Sequence, residues 1–168
     1  VLAHNANRGV PDFLAGGEWR PRPSIATLAS AMDVGNPSNM ERLRALYPEL
    51  DGLRGAVSAV SVDDEEIRVR IRAGFRTYGQ IWCPHTATAA EAWERLPPAQ
   101  RARHHWVLVA TAHPAKFREI VEPLIGESVP VPETLARLFA RPARCAEIDA
   151  SLAALRGALE TQGGGWKT

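Results

Sequence analysis

Val107-Leu108-Val109-Ala110-Thr111-Ala112-His113-Pro114-Ala115-Lys116-Phe117 is the stretch that decides the fold. A short apolar run bounded by turn residues reads as a buried strand over 106–111. It ends on a hydroxyl, and a small-residue turn feeds an amphipathic helix over 115–125. Phe117, Ile120, Val121 and Leu124 share one face of that helix, and Gly126 stands beyond its end. Ligands of open α/β sheets bind beyond the carboxyl ends of such strands. Thr111 and, five residues on, Lys116 therefore bring a neutral hydrogen-bonding group and a cation toward one pocket.

Upstream, Val57-Ser58-Ala59-Val60-Ser61-Val62 alternates as a strand should, and Val1-Leu2-Ala3 reads as the tail of another. A chain that begins inside an element is expected to have lost something upstream. The spacing predicts a short helix near Pro11 to Leu14 and another within 24–32. The pattern Ser38-x-x-Glu41 predicts a capped helix over 39–47. Ser61 is expected to cap an acid-started helix that Gly74 stops, and a further helix is expected over 86–96, closed by Pro97-Pro98. Pro130 and Pro132 mark a linker before a last helix over 147–159. Strands alternating with helices give an α/β class with a mostly parallel sheet, laid out as a partial three-layer α/β/α arrangement. The chain reads as a single incomplete domain over 1–168, with 161–168 a disordered Gly-rich tail.

Bulk properties exclude several function classes. The 168 residues are 45% hydrophobic, enough for a core, and carry a net charge of +1. Such a balance gives no general attraction to nucleic acid or to an anionic membrane. Apolar runs are too short to span a bilayer. Cys83 and Cys145 stand far apart with no CxxC spacing, which suits free thiols in a reducing, cytoplasmic setting. His4, His104, His105 and the cysteines match no closed zinc pattern, so no metal is expected.

Three segments read together resemble threonine synthase. They are Asn5-Ala6-Asn7 followed by Val10-Pro11-x-Phe13-Leu14-x-x-Gly17-x-Trp19, then Ala26-Thr27-Leu28-Ala29-Ser30-Ala31-Met32-Asp33-Val34-Gly35-Asn36-Pro37-Ser38-Asn39, then Ala110-Thr111-Ala112-His113-Pro114-Ala115-Lys116-Phe117. Pro84-His85-Thr86-Ala87 is a weaker fourth, where Cys83 stands in place of the acid the family often carries two residues before the His. Order and spacing are similar to the C-terminal part of the bacterial form. The resemblance implies a pyridoxal 5'-phosphate fold type II enzyme, a tryptophan-synthase-like lyase of threonine biosynthesis. The implied reaction turns O-phospho-L-homoserine and water into L-threonine and phosphate. The pyridinium serves as electron sink while protons leave Cα and Cβ.

The resemblance implies Thr111 as partner of the cofactor ring nitrogen; capping of the next helix is the plainer role for the same hydroxyl. It implies a substrate surface of Asn36, Ser38 and Asn39, with Ser38 as cap, and of Lys116 facing phosphate. Asp33 would be repelled by an anion, so fixing the loop suits it better. His113 suits a hydrogen-bonded structural role. The family's Schiff-base lysine lies in its N-terminal half, and this chain's two lysines, Lys116 and Lys167, match no such position. No catalytic residue is therefore assigned. Alone, the chain is expected to be an inactive fragment lacking cofactor, a partner for a missing N-terminal half, and prone to self-association. Two alternatives remain open: part of a related pyridoxal-phosphate dehydratase, or a non-catalytic binding or assembly module.

Overall fold

The structure is a computed structural model describing residues 1–142 and 145–162. The sequence reading takes 1–168 as one domain; by internal contacts the chain divides into two units, Val1–Pro130 and Val131–Thr168.

In the first unit β1 (Leu2–His4) and β2 (Ala59–Ser61) pair in parallel, with Leu2 opposite Ala59 and His4 opposite Ser61. Parallel strands need a long crossover. Here it comprises α1 (Gly9–Gly16), a 3-10 turn (Ser30–Met32), α2 (Met40–Leu46) and α3 (Leu50–Ala56). After β2 come α4 (Asp64–Tyr78), α5 (Pro84–Glu94), α6 (Pro98–Arg103), a 3-10 turn (Pro114–Phe117) and α7 (Arg118–Ile125). The class is mixed α/β with parallel pairing, as the alternation implies, and the sheet has two strands among the described residues.

Two apolar clusters hold this unit together. Val10 and Phe13 of α1, Met40 of α2 and Leu53 of α3 form one, with Trp19 edge-on to Phe13 at 6.0 Å. On α4, Ile67, Ile71 and Gly74 lie on one face at four- and three-residue steps, all buried. That helix packs on α5, whose Ala87 and Ala90 are buried, and on α7, whose Val121 is buried. Full burial of each Ile, Leu or Val stabilises the fold by about 1.5–3 kcal/mol. Gly74 sits beneath Trp82: a Cβ there would stand 2.4 Å from Cε3 of the indole.

Several local expectations are corrected. The expected strand over 106–111 forms no ladder; residues 105–111 carry no regular structure, and Val107 and Val109 are 85% and 68% exposed. A strand exists only by pairing, and no described residue pairs with this one. Gly74 does not stop α4, because a glycine inside a well-packed face is tolerated for close approach; the helix runs on to Tyr78 and ends at Gly79 with φ 62°. Ser61 does not cap it. Asp63 does, in a reciprocal capping box with Glu66, while Ser61 Oγ donates to the Asn5 carbonyl at 2.7 Å. Ser38 makes no capping box with Glu41: Asn39 is the N-cap residue of α2, and no side chain caps that end. Over 24–32 only Ser30–Met32 turns; α5 ends at Glu94, ahead of Pro97-Pro98, and Pro98 then opens α6.

In the second unit α8 (Glu133–Phe139) follows Pro132, and α9 spans Leu152–Gln162 with Ser151 Oγ accepting from the Ala154 amide at 3.1 Å. The last helix thus begins five residues later than 147. Thr161 and Gln162 close α9, and the rest of the expected tail, 163–168, lies outside the described residues.

Candidate functional site

Between β1, the loop ahead of α2, α5 and the unpaired 106–111 segment lies a cleft of about 580 Å³. That volume falls within the usual range of small-molecule sites, about 300–1,000 Å³. Thr111 lines it from one side; Met32, Val34, Pro37 and Asn39 line it from the loop; His85 and Trp93 come from α5. The hydroxyl at the end of the apolar run and the Asn-rich bend therefore meet in one hollow. Asn36 and Ser38 are exposed on the same loop, and Lys116 is exposed on the Pro114–Phe117 turn; none of the three lines the cleft. The 106–111 segment stands between two hollows. Trp106, Val107, Leu108, Val109 and Thr111 line the main cleft; Leu108, Ala110 and Ala112 line a second one with Cys83 and His113.

The loop is held by a polar network that starts from β1. Asp33 Oδ1 accepts from Asn5 Nδ2 at 2.7 Å, Asn7 Nδ2 at 3.2 Å and Thr27 Oγ1 at 2.7 Å, and its Oδ2 accepts from the Thr27 amide at 2.9 Å. Asn5 Oδ1 accepts from the Asn7 amide, while the Asn7 side chain both donates to the Ile25 carbonyl and accepts from the Ile25 amide. From α4, Asp64 Oδ1 accepts the Leu28 amide at 3.0 Å. From α5, His85 Nε2 accepts the Ala31 amide at 3.0 Å. Asp33 thus fixes the loop, and its carboxylate is turned inward to donors. The spacing of Asn5 and Asn7 is the sequence signal for this network, since i and i+2 at the end of a strand lie on one side.

Electrostatics in the cleft favour neutral histidines. Burial pushes the His4 imidazole below its ordinary value. Burial does the same to His85, reinforced by Lys116 and opposed by Asp33. The full charge lining the hollow is Arg42, one residue-turn beyond Asn39. The helix-terminus argument for an anion weakens here, because α2 has only seven residues. His113 Nδ1 accepts the Ala115 amide at 3.2 Å and caps the turn before α7. That structural job is the one expected of His113, and it leaves Thr111 free of capping. His85, Trp93, Trp106 and Arg42 escape sequence reasoning as cleft residues, since nothing in their spacing marks a site.

A profile of the C-terminal region of threonine synthase matches residues 86–158. The threonine synthase of Haemophilus influenzae is 34% identical over 95% of this chain, which spans 36% of that protein. The crystal structure of threonine synthase from Escherichia coli superposes with a TM-score of 0.79 at 33% identity, over 95% of this chain and 36% of that one. By sequence and fold, this chain corresponds to the C-terminal region of the threonine synthases. A pyridoxal-phosphate-bound threonine synthase from Brucella melitensis shares the fold, with a TM-score of 0.74 at 24% identity over 95% of this chain and 39% of that one. The chain spans about a third of the length of the relatives it matches. Among the described residues no helix is long and apolar enough to cross a membrane, and no cluster of three or more His, Cys, Asp or Glu could hold a metal.

Proposed function

We propose that this chain supplies one wall of a threonine synthase active site, gripping O-phospho-L-homoserine beside pyridoxal phosphate. The observation that carries the proposal is the convergence of Thr111 and the Met32-to-Asn39 loop on one cleft. The residues present fit part of the cofactor. Thr111 offers an exposed, uncharged hydroxyl at the hollow, a suitable partner for a ring nitrogen. His85 Nδ1 is a buried donor without a partner on the same wall. Among the described residues no lysine lines the cleft, so this wall offers the cofactor no covalent anchor.

When bound, pyridoxal phosphate withdraws electrons from the substrate α-carbon so that its proton and a Cβ proton can leave. This chain's own residues bind and orient. Asn39 and Arg42, on the cleft wall, present an amide and a guanidinium to the phosphate or carboxylate of the substrate, a bidentate task that suits arginine. Asn36, Ser38 and Lys116 complete the substrate surface from the outer side of the same region. Met32, Val34, Trp93 and Leu96 make the wall apolar and keep water from the reacting carbons. In a cytoplasmic protein the buried Cys83 and exposed Cys145 stay as thiols. Where the chain stands alone, exposed Val107 and Val109 favour self-association.

The test is complementation. The chain is co-expressed with the upstream part of a threonine synthase, and phosphate release from O-phospho-L-homoserine is followed. Release that depends on both parts, and that Thr111→Val lowers at least tenfold, supports the reading. A folded complex with no release favours a related dehydratase or a non-catalytic module. Borohydride treatment of the chain alone with the cofactor is expected to fix no site-specific adduct.

A further inference from the structure

His85 is 3% exposed in the first turn of α5, with its ring centroid 4.9 Å from that of Phe117. Its Nε2 accepts the Ala31 amide at 3.0 Å, so the ring proton of the neutral form sits on Nδ1, which is buried and unpartnered. Ala31 occupies the 3-10 turn Ser30–Met32, and Met32 is cleft wall. His85 itself lines the same cleft. The other anchors of this loop, Asn5, Asn7, Asp33 and Asp64, grip residues 25–29 and 33. Backbone bonds within the turn brace it locally, from the Met32 amide to the Ala29 carbonyl and from the Asp33 amide to the Ser30 carbonyl, while among the described residues the Ala31 amide finds its acceptor on α5.

We propose that His85 is a positioning residue of the cleft: its Nε2, as acceptor, pins the Ala31 amide and thereby sets the Met32 wall. Protonation turns that acceptor into a donor facing another donor, so the pin exists only with a neutral ring. The surroundings protect neutrality. Burial and Lys116, from the 3-10 turn before α7, disfavour the cation, while Asp33, from the loop itself, favours it. From β1, His4 lines the same cleft and is also held neutral by burial; from α4, Asp64 is engaged by the Leu28 amide. The pin acts in this chain without cofactor or substrate, so its failure is separable from failure of the cofactor reading.

The chain has two methionines, which makes the test direct. Methyl-13C methionine and 15N labelling follow Met32, Met40 and the Ala31 amide between pH 8 and 4.5. The Met32 methyl and the Ala31 amide are expected to shift with the midpoint of the His85 ring, below 6.5. Met40, buried in the cluster with Val10 and Phe13, stays flat. His85→Gln retains an acceptor that does not titrate, so Ala31 keeps its exchange protection and both reporters lose their shift. His85→Ala speeds Ala31 amide exchange at pH 7.5 at least tenfold. Reporters that still titrate in His85→Gln assign the effect to His4 and overturn the proposal. So does equal Ala31 exchange in native chain and His85→Ala, or exchange in His85→Gln as fast as in His85→Ala. Should His85→Ala not fold, the native titration against His85→Gln decides alone.

Discussion

Replacing Asp33 with alanine isolates the network that shapes the cleft loop. The carboxylate takes four hydrogen bonds, yet its loss strands only some of the donors. Asn5 Nδ2 keeps Thr27 Oγ1 at 2.7 Å and the Ala29 carbonyl at 3.3 Å. Asn7 Nδ2 keeps the Ile25 carbonyl at 2.8 Å and Asn5 Oδ1 at 3.1 Å. The Thr27 amide and the Thr27 hydroxyl proton lose their acceptor outright. A stranded buried donor costs about 1–3 kcal/mol. Thr27 is partly buried, so water offsets some of this, and Asp33→Ala should cost about 2–4 kcal/mol. Asp33→Asn keeps one acceptor oxygen and turns the other into a donor facing the Thr27 amide, for about half that loss. Urea unfolding followed by tryptophan fluorescence reads it out, since Trp19, Trp82, Trp93 and Trp106 all lie in the first unit. A loss below about 0.5 kcal/mol for Asp33→Ala, the level of an ordinary surface change, would refute the assignment of Asp33 as hub.

Three further outcomes are expected. Gly74→Ala places a Cβ 2.4 Å from the Trp82 ring, and the overpacking cost of about 1–3 kcal/mol should exceed the helix-propensity gain of about 1 kcal/mol, lowering the urea midpoint. Arg70 bridges α4 to α5 through Glu91 at 2.8 Å with both side chains mostly buried, so Arg70→Ala should cost about 1–3 kcal/mol and strip Glu91 of that cation; a double-mutant cycle with Glu91→Gln checks the coupling. The imidazoles of His4 and His85 are held below their unfolded values, so the unfolded chain binds protons first and stability should fall on acidification from 6.5 down to the folded values. Unfolding midpoints at pH 7.5 and 5.5 test the sign, and His85→Gln should flatten part of the slope.

Much of the fold is legible because its signals are local. Asp63 to Glu66 announces a helix start whichever residue caps it, and Gly126 with φ 75° ends α7 as its position implies. Val57 to Val62 contains β2, and Leu2 to His4 is indeed strand. Errors arise where a local rule meets tertiary demand. Gly74 resembles a stop signal, yet Trp82 needs the space and the helix continues past it. Ser61 resembles a cap, yet the Asn5 carbonyl takes its hydroxyl. α3 and α6 carry too few periodic residues to stand out, since Leu53 is the one buried side chain of the first and the second buries none.

The cleft divides along the same line. Thr111, Asn39 and the loop around Asp33 stand out because polar residues at a strand end or in a bend already suggest hydrogen-bonding work. His85 sits in a weak sequence motif, and its work shows only once Ala31, 54 residues away in sequence, lies against it. The 106–111 segment carries both lessons. Its alternation holds only at the end of the run, where Thr111 lines the main cleft and Ala110 and Ala112 the second, while Trp106, Val107, Leu108 and Val109 all line the main one. A strand also needs a neighbour's backbone, and pattern alone does not supply one. Val107 and Val109 beside Thr111 are exposed on a backbone with no ladder partner among the described residues, an edge open to an added strand. Docking there would turn an open wall into a closed one, set by the register of the very residues that present the Thr111 hydroxyl. A one-residue slip in that pairing would turn Thr111 to the opposite face and carry its hydroxyl out of the cleft. If the proposed complementation works through such pairing, the added segment is expected to bury Val107 and Val109 from solvent. Amide exchange of 107–111 that stays fast in an active complex would separate catalysis from this wall and sink the link between them.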